Sequence, residues 1–372
     1  MEEKSRADKK IDNNVLISIC IPTYNRADLL EQTLESIVSE KVFQDTSEVE
    51  IVISDNCSDD ETQNVCKKYL TKFPNKIIYH RESHNIGGDA NFLKVLSLAN
   101  GKLLKLNNDK CVFLAGSLEI ILKHVKQNIE EKNVLFFSNG VQAFYKKDSD
   151  CVAYYVCQNL NDLLSIASHR ITWIGAFTLW KEDFEHYHDF QNGINLQLLQ
   201  TKMLLDFLEQ HRKIVVSRER LFKVLPTLNN GGYNPAKVFG NNYLGILLGK
   251  YYRNGVLSRK TYENEKYNTL KLINQLFFDY KKRYVYKNTA YFKYLLPIYY
   301  LNPYFYIFLI ISYVKVKMAP IYIPLRNLYT IYWYKLHIFL FEKSGNYKRL
   351  NHYKEKLENE MQEQKRQKEI IK

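Results

Sequence analysis

At 372 residues, with 46% hydrophobic and 25% charged residues, the chain has room for two domains and the make-up of a folded protein, which excludes wholesale disorder. Its 14 Gly and 8 Pro likewise exclude a collagen-like or low-complexity chain, whereas a formal charge of +13 and 29 tyrosines are out of the ordinary. Cys20, Cys57, Cys66, Cys111, Cys151 and Cys157 form no C-x-x-C pair, which argues against a structural zinc site or a disulfide framework and for a reducing setting.

The charged opening, 1–14, lacks the apolar stretch of a secretory signal and reads as a disordered leader. VLISICIP (15–22) is a β-rich apolar run stopped by Pro22 and predicts a strand. LLEQTLESIV (29–38) places apolar residues at 29, 30, 34, 37 and 38, the 3.6-residue spacing of an amphipathic helix, with Asn25 as its expected cap. VEIVIS (49–54) predicts a second strand, followed by DNCSDDE and a helix over 62–70. KIIYH (76–80) is a third; HNIGG and the helical DANFLKVLSLAN lead to a fourth, KLLKL (102–106). After NNDK come a helix over 117–129 and a fifth strand, VLFFSN (134–139). ITWIGAFTLW (171–180) is strand-like, Lys181-Glu182-Asp183 reads as a helix-opening turn, and KIVV (213–216) as a further strand.

From Tyr280 to Phe341 the grammar changes: no Asp or Glu, nine Lys or Arg, and 14 of the tyrosines. Within it, 294–314 is a run of 21 uncharged residues. Its six tyrosines, Asn302, Pro297 and Pro303 make it a poor spanning helix. Tyr prefers the water–lipid boundary and Lys or Arg an anionic leaflet, so 280–341 reads as helices lying on a membrane. So greasy a surface is not expected to track nucleic acid. The mixed-charge end, 342–372, reads as a solvated helical tail.

Strands alternating with helices predict an α/β domain with a mostly parallel sheet over 15–225, followed by a helical segment at 226–279. Ligands of such sheets bind beyond the strands' carboxyl ends. PTYNR, DNCSDD, HNIGG and NND each follow a strand, so these four polar loops predict one site. No loop matches the phosphate-cradling G-x-x-x-x-G-K-[ST] or the dinucleotide G-x-G-x-x-G, which disfavours a P-loop NTPase and a nicotinamide enzyme.

In this order and spacing, ICIPTYNR (19–26), VISDNCSDDET (52–62) and HNIGGDANFLKVLSLANGKLLKLNNDK (84–110) resemble the family 2 glycosyltransferases of GT-A fold, and in particular the abequosyltransferase-like branch of bacterial surface-polysaccharide synthesis. The resemblance is firm over 15–130, faint to 225 and absent beyond. It implies an inverting transfer from a nucleotide sugar, a UDP-sugar first among them, to a glycan acceptor, and 280–341 makes a lipid-linked glycan the expected one. The setting it implies is the cytoplasmic face of a bacterial inner membrane. Carried over by position, Pro22, Thr23, Tyr24 and Arg26 border the nucleotide, and Asp55 reads the base, with Asn56, Ser58 and Asp60 shaping the turn. Asn85, Gly87, Gly88 and Asn91 let the backbone approach the donor.

The metal-binding D-x-D loop of the family falls on Asn107-Asn108-Asp109, two carboxylates having become amides. Asp109 matches the ligand position for Mg²⁺ or Mn²⁺, and Asn107 and Asn108 remain donor-side groups. The family's base, an acidic pair opening a helix, falls on Leu199 and Gln200, neither of which takes a proton. His186, His188 and Asp189 are the substitutes nearby. TWIGAF resembles the acceptor side of the cleft, where Trp173 and Trp180 would stack on sugar. Two other readings stand beside this one: a catalytically impaired member of the same fold acting as a binding or scaffold subunit, and a basic peripheral membrane or nucleic-acid-binding protein.

Overall fold

The alternation expected of the first half is present in the computed structural model, which describes residues 14–139, 154–209, 213–226, 233–277, 291–344 and 346–371. The expected leader (apart from Asn14) and residues 280–290 of the basic segment lie outside the described residues. The chain divides into two compact units, 1–269 and 270–372.

In the first unit the order is β1 (Ile17–Thr23), α1 (Ala27–Val38), α2 (Lys41–Asp45), β2 (Val49–Asp55), α3 (Thr62–Lys72), β3 (Ile77–Arg81), α4 (Gly88–Ser97) and β4 (Leu103–Leu106). Then follow β5 (Cys111–Phe113), α5 (Ser117–Asn128), β6 (Val134–Phe137), β7 (Tyr154–Cys157), α6 (Leu160–Ala167) and β8 (Thr178–Trp180). The unit continues with α7 (Lys181–His186), α8 (Phe190–Ile194), α9 (Leu199–Glu209), β9 (Ile214–Ser217) and β10 (Phe222–Val224). A π-helical stretch (Ala236–Leu248) runs into α10 (Gly249–Arg253), and α11 (Arg259–Phe277) crosses the boundary between units.

The main sheet has the order β3-β2-β1-β4-β8. Its first four strands are parallel, and β8 runs antiparallel beside β4. All seven positions of β1 and of β2 are buried, as befits central strands covered on both faces. Leu30, Leu34, Ile37 and Val38 of α1 form the buried stripe that its periodicity predicts. Two readings need correction. The fifth predicted strand, β6, is not in this sheet but pairs with β9 in a three-stranded sheet of order β6-β9-β7. The strand-like 171–180 is mostly 3₁₀ turn (Ser168–Thr172 and Ile174–Ala176), with only Thr178–Trp180 extended. A short apolar run does not by itself distinguish strand from other buried structure.

Glu265 on α11 is 1% exposed and accepts hydrogen bonds from the hydroxyls of Ser168 (2.7 Å) and Tyr243 (2.9 Å). Burial pushes its carboxyl up to about 7. The folded state therefore keeps a proton that the unfolded state releases, so this contribution to stability is full at low pH and is lost as pH rises from about 4 to about 7. Glu265→Gln is expected to remove that slope, worth on the order of 3 kcal/mol. Urea unfolding at pH 5 and pH 8 checks it: the variant should gain on wild type at the higher pH.

In the second unit, α12 (Tyr291–Tyr299), α13 (Pro303–Ser344) and α14 (Tyr347–Ile371) are helical, as expected of 280–341 and of the tail. The uncharged run is not one helix, because Tyr300–Asn302 separates α12 from α13 and Pro303 begins the second. Phe305 stacks on Tyr291 and Tyr299, and Tyr353 of α14 packs on Trp333, His337 and Phe341 of α13. Among the described residues no helix is long and apolar enough to cross a membrane.

Candidate functional site: a four-loop rim at the sheet edge

The loops that follow β1, β2, β3 and β4 are tied to one another. Asn25, in the left-handed region at φ 51°, donates its amide to Ser58 Oγ (2.9 Å) and accepts from the Asp59 amide (2.9 Å). It therefore joins two loops instead of capping α1. Asp60 reaches across to accept from the Ala27 amide (3.0 Å), where α1 begins. Asn56 donates to Asn85 Oδ1 (2.9 Å) and accepts from the Ile86 amide (2.8 Å), joining the second loop to the third. Arg26 Nη1 lies 2.8 Å from Asp109 Oδ1, and Thr23 Oγ1 donates to Asp109 Oδ2 (3.1 Å), joining the first loop to the fourth. The four polar segments thus share one lip of the sheet.

Several predicted donor residues build this lip. Asp55 is 0% exposed, and its carboxylate accepts from the Ser58 amide (2.9 Å) and the Tyr79 hydroxyl (3.0 Å), so it presents no surface to a base in this arrangement. The other oxygen of Asp60 accepts from the amide and hydroxyl of Thr62. Asn91 exchanges two hydrogen bonds with Ser54. Pro22 is buried within β1. Left facing outward are Tyr24, the partly exposed Arg26, and the backbone at Gly87 and Gly88, where an added Cβ would meet nothing within 4 Å. The φ of +88° at Gly87 is a conformation that glycine supplies without strain.

The fourth loop rests on a buried cation missing from the sequence reading. Lys105 of β4 is 0% exposed; its ammonium donates to Asn107 Oδ1 (3.2 Å) and to the carbonyls of Leu106 and Gly175, and lies over the Phe222 ring. Burial draws it down to about 8. Its place inside a buried strand, where lysine is rare, was the available signal. Asn107 turns its oxygen to Lys105 and its amide inward, to the carbonyls of Asn108 and Cys111. Asn108 Oδ1 accepts from the Lys110 amide.

This donor set does not suit a divalent cation. Hard dications want several open oxygen ligands, whereas both oxygens of Asp109 are engaged by Arg26 and Thr23 and the two amides face the fold. Burial pushes the Asp109 carboxyl up, and the Arg26 guanidinium pulls against it. Among the described residues no three His, Cys, Asp or Glu side chains gather as metal ligands.

The predicted base candidates lie around α7 to α9. His186 donates from Nδ1 to the Glu182 carbonyl (2.7 Å), one helical turn back. His188 is exposed. Asp189 is paired with Lys202 (2.6 Å), which holds it below the usual carboxylate range, a poor setting for a proton acceptor near neutrality. Lys202 also binds Asp206 (2.6 Å), so the cluster is an ion-pair network between α9 and the chain ahead of α8. Leu199 and Gln200 do open a helix, α9, and both are buried. Trp180 is 3% exposed and donates to the Asn133 carbonyl, which removes it from any acceptor surface. Trp173 is partly buried and packs edge-on to Phe222.

Residues 18–148 match the model of "Glycosyl transferase family 2". This segment is a family 2 glycosyltransferase domain. Over 87 residues the chain is 47% identical to abequosyltransferase RfbV of Salmonella typhimurium, covering 23% of this chain and 26% of that protein. Over 112 residues it is 30% identical to the GalNAc(5)-diNAcBac-PP-undecaprenol beta-1,3-glucosyltransferase of Campylobacter jejuni, covering 30% and 35%. The chain thus spans about a quarter to a third of the length of these relatives. Among solved structures, S. aureus TarS 1-349 in complex with UDP-GlcNAc is similar at 14% identity and a TM-score of 0.47, covering 82% of this chain and 81% of that one. The resemblance read from the three loop motifs is borne out, and the GT-A-like α/β domain with a mostly parallel sheet, followed by a helical part, agrees with the expected fold class.

Proposed function

We propose that the chain is an inverting glycosyltransferase that moves a sugar from a nucleotide sugar, a UDP-sugar being the first to test, to a lipid-linked glycan in bacterial surface-polysaccharide synthesis. The observation that carries this reading is the joining of four loops at one sheet edge inside the segment that matches the family. The nucleotide lies along the first three loops beside Tyr24, with the backbone at Gly87 and Gly88 close to the donor. Arg26 faces the diphosphate. As the bond to the anomeric carbon breaks, charge grows on the leaving diphosphate, and a fixed guanidinium offsets it without reorganising. Positive charge from Arg26, with Lys105 beneath the loop, takes the part that Mg²⁺ or Mn²⁺ plays in the expectation drawn from the D-x-D position.

The relative from Campylobacter carries an undecaprenol-linked acceptor in its name, which supports a lipid-linked acceptor here. So does α13. Ile307, Ile311, Val314, Met318, Leu325, Leu328, Tyr332 and Phe339 are all exposed, at spacings of three, four or seven that align them along one side of the helix. With nine cations and no acid over 280–341, this face suits an anionic lipid surface at the cytoplasmic side of a bacterial membrane.

The test is release of nucleoside diphosphate from a panel of UDP-, GDP-, CDP- and dTDP-sugars, with membranes that carry lipid-linked glycans as acceptor. Turnover with one donor is expected, and EDTA at 5 mM is expected to leave at least about half of it, since Arg26 already occupies Asp109. No release from any donor would refute the enzymatic reading; loss of all activity in EDTA would refute the cation-free site.

A further inference from the structure

Lys105 occupies a place inside β4 where an apolar side chain is the ordinary choice. All four positions of the strand are buried, and among the described residues no acid pairs with this ammonium. A cation buried without a counter-ion is costly, and a well-packed apolar residue would remove that cost. What an apolar residue could not do is donate three hydrogen bonds. The ammonium reaches the Leu106 carbonyl (3.2 Å) and Asn107 Oδ1 (3.2 Å) where β4 ends, and the Gly175 carbonyl (3.0 Å) in the turn Ile174–Ala176. It thus bolts the fourth loop to a turn that Trp173 covers so closely that a Cβ at Gly175 would stand 2.6 Å from the ring.

An ammonium donates and does not accept, so it holds the Asn107 amide with the oxygen turned inward. The nitrogen of that amide is then committed to the carbonyls of Asn108 (3.0 Å) and Cys111 (3.1 Å), which closes the loop. An Asp at 107 would set a carboxylate oxygen against both carbonyls. The amide at the first position of the D-x-D match is therefore what this lysine-anchored loop requires. Asp109 lies two residues further on. Its carbonyl accepts from Thr33 Oγ1 (2.9 Å) and its carboxylate anchors Arg26 (2.8 Å), so a shift at Asn107 is carried along the loop to that guanidinium.

Resting on the glycosyltransferase reading above, we infer that Lys105 is a positioning residue for transfer: it sets the fourth loop through Asn107 and Gly175, and so aims Arg26 at the leaving diphosphate. Lys105 itself does not touch substrate. Its effect passes through Arg26, which makes the two residues a coupled pair and not independent contributors. A lysine that merely filled the core would lower stability when replaced and spare the rate of the molecules that fold.

The experiment measures turnover and urea unfolding of full-length wild type, Lys105→Met, Arg26→Ala, their combination and Asn107→Asp, with the donor that wild type uses and acceptor-bearing membranes. Lys105→Met is expected to lose turnover by about 10–100-fold, the cost of a small misplacement carried to the reacting groups. Its urea midpoint should lie near that of wild type, since removing the buried cation offsets the lost hydrogen bonds. In the Arg26→Ala background the same change should cost less than about threefold, because no guanidinium remains to be aimed. Asn107→Asp is expected to lose about tenfold or more, with no recovery in Mn²⁺. Lys105→Met that folds and works within about threefold of wild type overturns the assignment, and so does an equal loss in both backgrounds. If Lys105→Met does not fold, Asn107→Asp decides alone: wild-type turnover, or turnover raised by Mn²⁺, overturns the assignment. Wild type that turns over no nucleotide sugar overturns the glycosyltransferase reading itself, a result distinct from these.

Discussion

Arg26→Ala is expected to lower transfer by at least two orders of magnitude, the cost seen when one fixed donor is removed from a developing anion. The guanidinium is 2.8 Å from Asp109 and retains 19% side-chain exposure, so it is anchored on the protein side and open on the other. Without it, the Asp109 carboxyl stays buried and, among the described residues, keeps the Thr23 hydroxyl as its side-chain partner. Burial already pushes this carboxyl up, so it is expected to take a proton in the variant. That escape limits the loss of stability to about 2 kcal/mol, below the 3–5 typical of a fully buried pair that loses one partner. Arg26→Lys should recover only part of the rate, because a point charge on a flexible stem does not reproduce the planar fork. Nucleoside diphosphate release and urea unfolding of the same preparations separate the effects: a variant with full activity would remove Arg26 from the site.

Gly101→Ala is expected to destabilise the first unit by about 3 kcal/mol or more, although the position lies outside every loop of the rim. A Cβ there would stand 2.6 Å from the Ser18 amide nitrogen and 2.8 Å from the Ile17 carbonyl carbon, backbone atoms inside β1 that have nowhere to move. The Gly101 amide also donates to Ser18 Oγ (2.7 Å), which donates to the buried Glu50 (2.6 Å). Glu50 accepts in turn from the amide of Asn100 (2.6 Å). Displacing Gly101 therefore breaks a buried polar hub between β1 and β2 as well as a packing contact. Gly88→Ala, where a Cβ meets nothing within 4 Å, should leave the unfolding free energy from urea within about 0.5 kcal/mol of wild type. Equal midpoints for the two variants would refute the account of Gly101.

How much of this was legible beforehand depends on the range of the interactions. The central strands are short apolar runs closed by polar turns, so their type and order follow from local pattern. The same cue misleads at 171–180, where apolar residues line 3₁₀ turns. Two elements with equal hydrophobicity differ there only in what they pack on. At the rim, the order of the loop motifs is a sequence property, but the division of labour within them is not. An Asn has the same letter whether it faces a donor, joins two loops as Asn56 does, or ties α4 to β2 as Asn91 does. The Arg26–Asp109 pair joins residues 83 apart, and the cation of Lys105 is placed by burial that no local window reveals.

The central claim is that the loops after β1 to β4 together grip the diphosphate of an activated sugar. Amide hydrogen exchange of the full chain, with and without a saturating nucleoside diphosphate in EDTA, tests it most directly. Slower exchange is predicted in 23–26, 55–60, 84–91 and 107–110, and no such protection in Arg26→Ala at the same ligand concentration. Protection confined to other parts of the chain, or binding with these four segments unchanged, would contradict it.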